Sequence, residues 1–128
     1  MKVNTFTINS KIGKNILKRI ADFLKKEFQN LKGVKELNII VVDSKYIKEL
    51  NQKFLGRDKE TSVLSFDIDG IWEIYVNYDY AKNLEEFVYF IFHGFLHLIG
   101  HEHFNEEQHK QMESRAEELL NKWKSFYS

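Results

Sequence analysis

Val63-Leu64-Ser65-Phe66-Asp67-Ile68 and Trp72-Glu73-Ile74-Tyr75-Val76, joined through Asp69-Gly70, decide the fold. Both runs are short and rich in β-branched and aromatic residues, which suit a pleated, half-buried surface. Asp-Gly between them is a strong hairpin signal, because the tight turns that join antiparallel strands need positive φ. Working upstream, a polar loop fills Gly56 to Ser62. Before it, Leu37 to Val42 is an unbroken, largely β-branched run and reads as a buried strand. Asp43-Ser44 can cap a helix that continues to about Phe54, with Ile47 and Leu50 turned inward. Val3 to Ile8 alternates apolar and polar residues, as an edge or half-buried strand does. Asn9-Ser10 offers a helix start. After it Ile12, Ile16, Leu17, Ile20, Phe23, Leu24 and Phe28 recur at helical spacing, with lysines largely between them. Downstream of the hairpin, an apolar helix is expected from about Asp79 to Ile99. A last helix follows from about Glu106 to Phe126, burying Met112, Ala116, Leu119, Leu120 and Trp123. The order is β-α-β-α-β-β-α-α. The hairpin breaks a regular βαβ alternation, so the class is α+β (mixed α/β): about four strands in a mixed sheet packed with helices.

The 128 residues suit a single domain, 1–128. There is no Cys, which excludes a disulfide scaffold and any thiolate metal site and fits a reducing, cytoplasmic setting. There is no Pro, so turns rest on Gly, Asn and Asp. No long apolar run follows the first residues, so no signal peptide is read. The longest apolar stretch, Phe87 to Ile99, is interrupted by His93 and His97 and falls short of the roughly 20 residues a membrane span needs. The formal charge is zero, but it is divided. Residues 1–59 carry 14 Lys and Arg against 6 Asp and Glu; residues 60–128 carry 5 against 13. This division is read either as solvated helix faces or as a polyanion-binding patch centred on Lys11, Lys14, Lys18, Lys25 and Lys26.

Four of the five histidines fall within eleven residues, His93 to His103. His93 and His97 stand at i and i+4, so on a helix they project from one face about one turn apart. Two imidazoles placed in this way can both reach a tetrahedral zinc. Gly100 suits the left-handed position that ends a helix, after which His103 can return as a third ligand. Three nitrogen ligands leave a fourth position for water, the arrangement of a catalytic zinc site. A lone histidine on an apolar helix is usually a satisfied core residue, but two unpaired ones in the most apolar segment of the chain would be costly to bury. His101 reads as a turn residue and His109 as a surface residue of the last helix.

His93, His97, Gly100 and His103 also match the spacing of a class of zinc proteases. Those enzymes carry their general base, a glutamate, directly after the first histidine. Here that residue is Gly94, which speaks against a zinc peptidase; the nearest carboxylate in the run is Glu102.

His93-Gly94-Phe95-Leu96-His97-Leu98-Ile99-Gly100-His101-Glu102-His103 resembles the H-G-x-L-H-L-x-G-Y-D-H signature of the YbeY family, bacterial zinc-binding endoribonucleases implicated in ribosomal RNA maturation and ribosome quality control. A second block, Asn51 to Phe66, is similar to that family's N-x-x-Y-R-x-K-D-x-P-T-D/N-V-L-S-F. The two blocks keep their order and spacing, and the resemblance spans about residues 35 to 120. It departs in places: Leu55 stands where the family has an arginine of the active site, Glu60 where it has Pro, His101 where it has Tyr and Glu102 where it has Asp. Arg57 lies two residues beyond Leu55, where the family often has Lys.

The resemblance implies a single-strand-specific, metal-dependent endoribonuclease acting on ribosomal RNA, with the ribosome or ribosomal proteins as partners and no membrane. One Zn2+ is expected on His93, His97 and His103, its water serving as nucleophile. Arg57 and Glu102 are the candidate catalytic residues. Thr61 and Ser65 are candidate substrate-binding hydroxyls, or ordinary polar residues of a loop and a strand end. Phe54 and Phe66 can stack on bases or pack in the interior. The alternative reading is a non-catalytic, metal-stabilised factor that docks on the ribosome.

Overall fold

The computed structural model describes residues 1–100 and 105–127. Its strands are β1 (Lys2–Thr7), β2 (Glu36–Val42), β3 (Val63–Ile68) and β4 (Ile71–Asn77). Its helices are α1 (Lys14–Glu27), α2 (Ser44–Leu55), α3 (Leu84–Leu98) and α4 (Glu106–Tyr127), with a 3-10 turn at Tyr78–Tyr80. The hairpin is where the sequence places it. Asp69 and Gly70 have φ of 53° and 86°, so both central residues take the left-handed conformation that matches the twist of the flanking strands.

β3 and β4 pair antiparallel, while β2 lies parallel to both β1 and β4, giving the order β1-β2-β4-β3. The parallel register sets Leu37 beside Trp72, Ile39 beside Ile74 and Val41 beside Val76. All six side chains are buried on one face of the sheet. α1, α3 and α4 cover that face, and Leu17, Ile20, Phe92, Phe95, Met112 and Trp123 complete the core. Aromatic rings fill much of the space between the layers: Phe28 lies 4.6 Å from Phe95, Phe23 5.4 Å from Phe92 and 5.8 Å from Trp123. The opposite face carries a smaller cluster, Ile40, Val42 and Ile47, under α2 alone.

Several boundaries differ from the sequence reading. α1 starts at Lys14, not at Asn9-Ser10. Asn9 sits at a φ of 55°, and the Ser10 hydroxyl accepts the Ile12 N–H at 3.3 Å, so these residues build a turn before the helix. The apolar helix starts at Leu84 rather than Asp79, because Asp79 N–H turns back to the Asn77 side chain (3.0 Å) and Asn83 supplies the true cap. Asp43 caps α2 as read, accepting from Tyr46 N–H at 2.9 Å. In α4, Leu120 is half-buried while Met112, Ala116, Leu119 and Trp123 are buried. Among the described residues no helix is long and apolar enough to cross a membrane.

The hairpin turn is also a tertiary contact. Gly70 C=O accepts from Lys35 N–H at 2.9 Å, and a Cβ on Gly70 would lie 3.1 Å from the Gly33 carbonyl oxygen. Gly70→Ala therefore meets both a left-handed backbone, a penalty of about 1–2 kcal/mol for an L residue, and a rigid neighbour. It should lower unfolding free energy by about 2 kcal/mol or more in urea denaturation, whereas Asp69→Asn, which tolerates the same φ, should leave it within about 0.5 kcal/mol.

Candidate functional site

α3 is held at both ends by local chemistry. Asn83 Oδ1 accepts the Glu86 N–H at 2.9 Å, and the Glu86 carboxylate accepts the Lys82 N–H at 3.2 Å. Two backbone donors at the N-terminus are thereby satisfied, and Glu85 and Glu86 complement the helix dipole. At the other end Gly100 takes a φ of 100° and its N–H returns to the His97 carbonyl at 3.3 Å, the left-handed ending its position in the sequence suggests.

Between these ends Phe87, Val88, Ile91, Phe92, Phe95 and Leu96 are buried. Tyr89 and His93 are half-buried and His97 is exposed, so Tyr89, His93 and His97 form the wetter stripe of the helix at i, i+4 and i+8. The rings of Tyr89 and His93 lie 6.2 Å apart. Burial raises the pKa of the Tyr89 phenol, and the carboxylates of Glu113 and Glu117 on α4 raise it further. The phenol is thus a neutral hydrogen-bond donor beside His93 at physiological pH. Tyr89 was missed in the sequence; its place one turn before His93 was the available signal.

Gly94 explains how α3 is seated. A Cβ there would lie 3.0 Å from Val63 Cγ2, 3.1 Å from Ser65 Oγ and 3.2 Å from Ile74 Cγ2. The helix backbone rests directly on the β3–β4 hairpin, and Ser65 Oγ donates to the Gly94 carbonyl at 3.2 Å. The structure gives Ser65 this packing role. It also shows why a glutamate has no place after His93: position 94 faces the sheet.

Val63 is the residue that the 56–62 loop delivers, so the loop enters the sheet under the histidine helix. Two asparagines hold that loop, and they are the buried polar side chains among the described residues. Gly56 ends α2 at a φ of 66°, and Arg57 N–H donates to the Asn51 carbonyl at 3.3 Å. Asn51 Nδ2 donates to the Lys59 carbonyl at 3.0 Å. Asn77 Nδ2 donates to the Thr61 carbonyl at 3.1 Å and to Ser44 Oγ at 2.9 Å, while Asn77 N–H donates to the Ser62 carbonyl at 2.8 Å. Arg57, Lys59 and Thr61 thus sit on a pinned loop, Arg57 exposed and Thr61 half-buried. Leu55, the last residue of α2, is exposed as well.

Of the expected metal ligands, His93 and His97 share one face of α3 as read. His103 lies outside the described residues, as do Glu102 and His101. Among the described residues no group of three or more potential ligands converges. The donor set fits zinc so far as it is described: two imidazoles one helical turn apart, at the end of the helix from which His103 follows in sequence. His109 is a surface residue of α4, with Nε2 2.9 Å from Glu113 Oε1. The Phe54 and Phe66 rings meet at a tilt at 5.8 Å, and Phe66 meets Tyr75 edge to face at 5.9 Å, on the α2 face of the sheet. They are therefore on the side away from α3. Lys14, Lys18, Lys25 and Lys26 are exposed on α1, which lies over β1 at the far edge of the sheet from the β3–β4 hairpin that carries α3.

A family model described as Endoribonuclease YbeY matches residues 1–124. The chain belongs to the YbeY family. The match reaches well beyond the 35–120 span of the two sequence blocks. A relative named endoribonuclease YbeY from Thermotoga maritima is 35% identical over 136 residues, covering 91% of this chain and 86% of its own. The protein of that name from Persephonella marina is 31% identical over 149 residues, covering 98% and 97%. A Thermotoga maritima protein solved in solution superposes with a TM-score of 0.61 at 27% identity, covering 98% of this chain and 93% of its own. Two positions of the YbeY sequence blocks now have a physical reason in this chain. The side chain of Asn51, which opens the first block, straps the loop, and at Gly94, which follows His93, a Cβ would crowd Val63, Ser65 and Ile74.

Gly94→Ala tests that fit. In a free helix Ala is favoured over Gly by about 1 kcal/mol, but overpacking against Val63, Ser65 and Ile74 costs about 1–3 kcal/mol. The variant should lose about 1–2 kcal/mol in chemical denaturation. A gain in stability would mean that α3 is not seated at this distance.

Proposed function

We propose that this chain is a zinc-dependent endoribonuclease that cuts single-stranded RNA in ribosomal RNA processing and ribosome quality control, in the cytoplasm and in contact with the ribosome. Family membership supports the reaction class. The observation that supports the reading is the close seating of α3 on β3 at Gly94, against Val63, the residue to which the pinned loop of Arg57 and Thr61 leads. On this reading the metal-binding groups and a phosphate-binding cation meet at that end of the hairpin.

His93, His97 and His103 would hold the ion; when bound, it supplies Lewis acidity and lowers the pKa of a coordinated water toward neutrality. The remaining work falls to side chains. The Arg57 guanidinium binds non-bridging phosphate oxygens in bidentate fashion and stabilises the charge that grows on them. It stands in for the arginine that Leu55 replaces, and the left-handed turn at Gly56 sets its direction. Glu102 accepts the proton released by the attacking water. Thr61 orients the ribose-phosphate backbone beside the loop. A peptidase is disfavoured by the sheet-facing position of Gly94, which leaves no site for that chemistry's glutamate.

The protein purified without chelator should contain about one zinc per chain by elemental analysis, and His97→Ala should lose most of it. Full metal content in that variant would remove His97 from the ligand set.

Metal-loaded protein should cleave single-stranded RNA and leave unfolded protein intact. Arg57→Ala should slow RNA cleavage by about 10²-fold, the usual effect of losing one preorganised donor, with zinc content unchanged. Undiminished cleavage by Arg57→Ala would exclude the takeover, and activity raised by Leu55→Arg would point instead to a weakened nuclease whose binding role outweighs its chemistry.

A further inference from the structure

β1 forms one edge of the sheet, with β2 as its neighbour. Lys2 N–H donates to the Lys35 carbonyl at 3.2 Å and Ile8 N–H to the Val41 carbonyl at 2.7 Å. Residues along a strand bond alternately to its two sides, so the even-numbered residues face β2. Val3, Thr5 and Thr7 therefore turn their N–H and C=O groups to the free edge. Sheet edges are commonly blocked by Pro, a bulge or an inward-pointing charge. β1 has no Pro, its register with β2 runs unbroken from Lys2 to Thr7, and Val3, Thr5 and Thr7 are uncharged.

A groove of about 540 Å³ follows this edge, walled by Val3, Thr5 and Thr7 on the strand and by Lys14, Leu17 and Lys18 on α1. Leu17 is buried and makes an apolar floor. Lys14 and Lys18 are exposed and pair with no carboxylate among the described residues. The N-terminus of α1 has no side-chain cap and no acidic residue in its first turn, so its dipole adds positive potential at the same end. Asp22, two turns further along α1, is the groove's acidic residue.

We propose that this groove binds an extended, acidic peptide segment of a partner protein by strand addition to β1. The peptide's amides continue the ladder at Val3, Thr5 and Thr7, and on its face toward α1 apolar side chains and carboxylates take turns, the former over Leu17 and the latter at Lys14 and Lys18. RNA phosphates could meet the lysines but could not continue a backbone ladder. A second copy of the chain fits poorly. Joining two β1 edges would set two α1 helices side by side, each with five basic residues against two acidic ones, and like charges across an interface oppose association.

The test is an NMR titration of the isotope-labelled full chain with an end-blocked nonapeptide, Val-Ser-Glu-Ser-Val-Ser-Glu-Ser-Val, whose valines and glutamates share one face of an extended strand. Amide signals of Val3, Thr5 and Thr7 should move, saturate and gain protection from hydrogen exchange. The double variant Lys14→Glu/Lys18→Glu should weaken binding by about tenfold or more. N-methylating every second peptide residue, in each of the two phases, should abolish binding in one phase. Absence of shifts at these amides up to millimolar peptide overturns the proposal. So does equal binding of a peptide with lysine in place of glutamate, or binding that survives both N-methylated forms. A uridine decamer that displaces the peptide from the same amides would assign the groove to RNA instead. A dimer that buries those amides in the free protein would assign it to self-association. None of these outcomes depends on nuclease activity, so this proposal and the nuclease reading fail separately.

Discussion

The contact between the α3 backbone and the β3–β4 hairpin at Gly94 is the constraint on which the rest depends. Side chains normally hold a helix about 10 Å from a sheet; removing the Cβ lets the helix settle closer. Here the gap at position 94 is already at van der Waals limits with Val63, Ser65 and Ile74. Once that position is fixed, the helical period fixes the others. Phe87, Ile91 and Phe95 are driven into the core, and His93 and His97 are left on the flank. The histidines are thus placed by a glycine that does no chemistry. The same contact explains the buried aromatic layer: Trp72 and Phe95 approach to 5.6 Å across the helix–sheet boundary, which a raised helix would not allow.

A second constraint is paid in desolvation. Burying an amide side chain is unfavourable unless its hydrogen bonds are remade. Asn77 remakes them fully, with donors to Ser44 and Thr61 and an acceptor for Asp79 N–H. Asn51 makes one good bond to Lys59 and leaves Oδ1 without a partner among the described residues. The net gain from such bonds is small, so stability alone is a poor reason for them. What they do is fix a loop that has no Pro to stiffen it and no secondary structure of its own. The Lys59 and Thr61 carbonyls are taken up by buried amides while the side chains of residues 57–60, Arg57 among them, stay exposed. A rigid frame with free side chains is what a group that must meet a ligand needs.

Much of this was legible in the sequence, for reasons that can be named. The Asp69-Gly70 turn, the Asp43 cap and the β-branched run of β2 are local signals, and each appears where local chemistry demands. The strand order was not legible, because parallel pairing of β2 with both β1 and β4 is set by which faces must be buried together. The start of α1 was misread because Asn9 and Ser10 are good caps that here serve a turn, and the true cap, Gly13, carries no side chain to announce itself. On the site, the spacing of His93 and His97 was enough to put them on one face. Gly94 was read as a missing catalytic group; its packing role needed the third dimension. Ser65 was open to two readings, a substrate hydroxyl or an ordinary polar residue of the strand, and its bond to the Gly94 carbonyl was not legible in the sequence. Asn77 left no trace, being one asparagine at the end of a strand.

The divided charge of the chain also takes on a shape. Burial, and then the carboxylates of Glu113 and Glu117, hold the Tyr89 proton more tightly, so α4 brings carboxylates to the Tyr89 end of the histidine stripe. A negative wall favours a divalent cation and repels a polyanion. The 56–62 loop carries Arg57 and Lys59 together with Asp58 and Glu60, on a backbone pinned at Arg57 and Lys59. Under the nuclease reading an RNA strand meets Arg57 from the loop and does not approach across the α4 carboxylates, and the site lies at that boundary. The lysines of α1 contribute little to that boundary. They lie over the opposite edge of the sheet, and charges that far apart are largely screened beyond a Debye length of about 8 Å at physiological salt. The basic first half of the sequence is thus divided by the sheet, with one cluster of lysines on α1 beside β1 and another, Lys45, Lys48 and Lys53, on α2 over the opposite face.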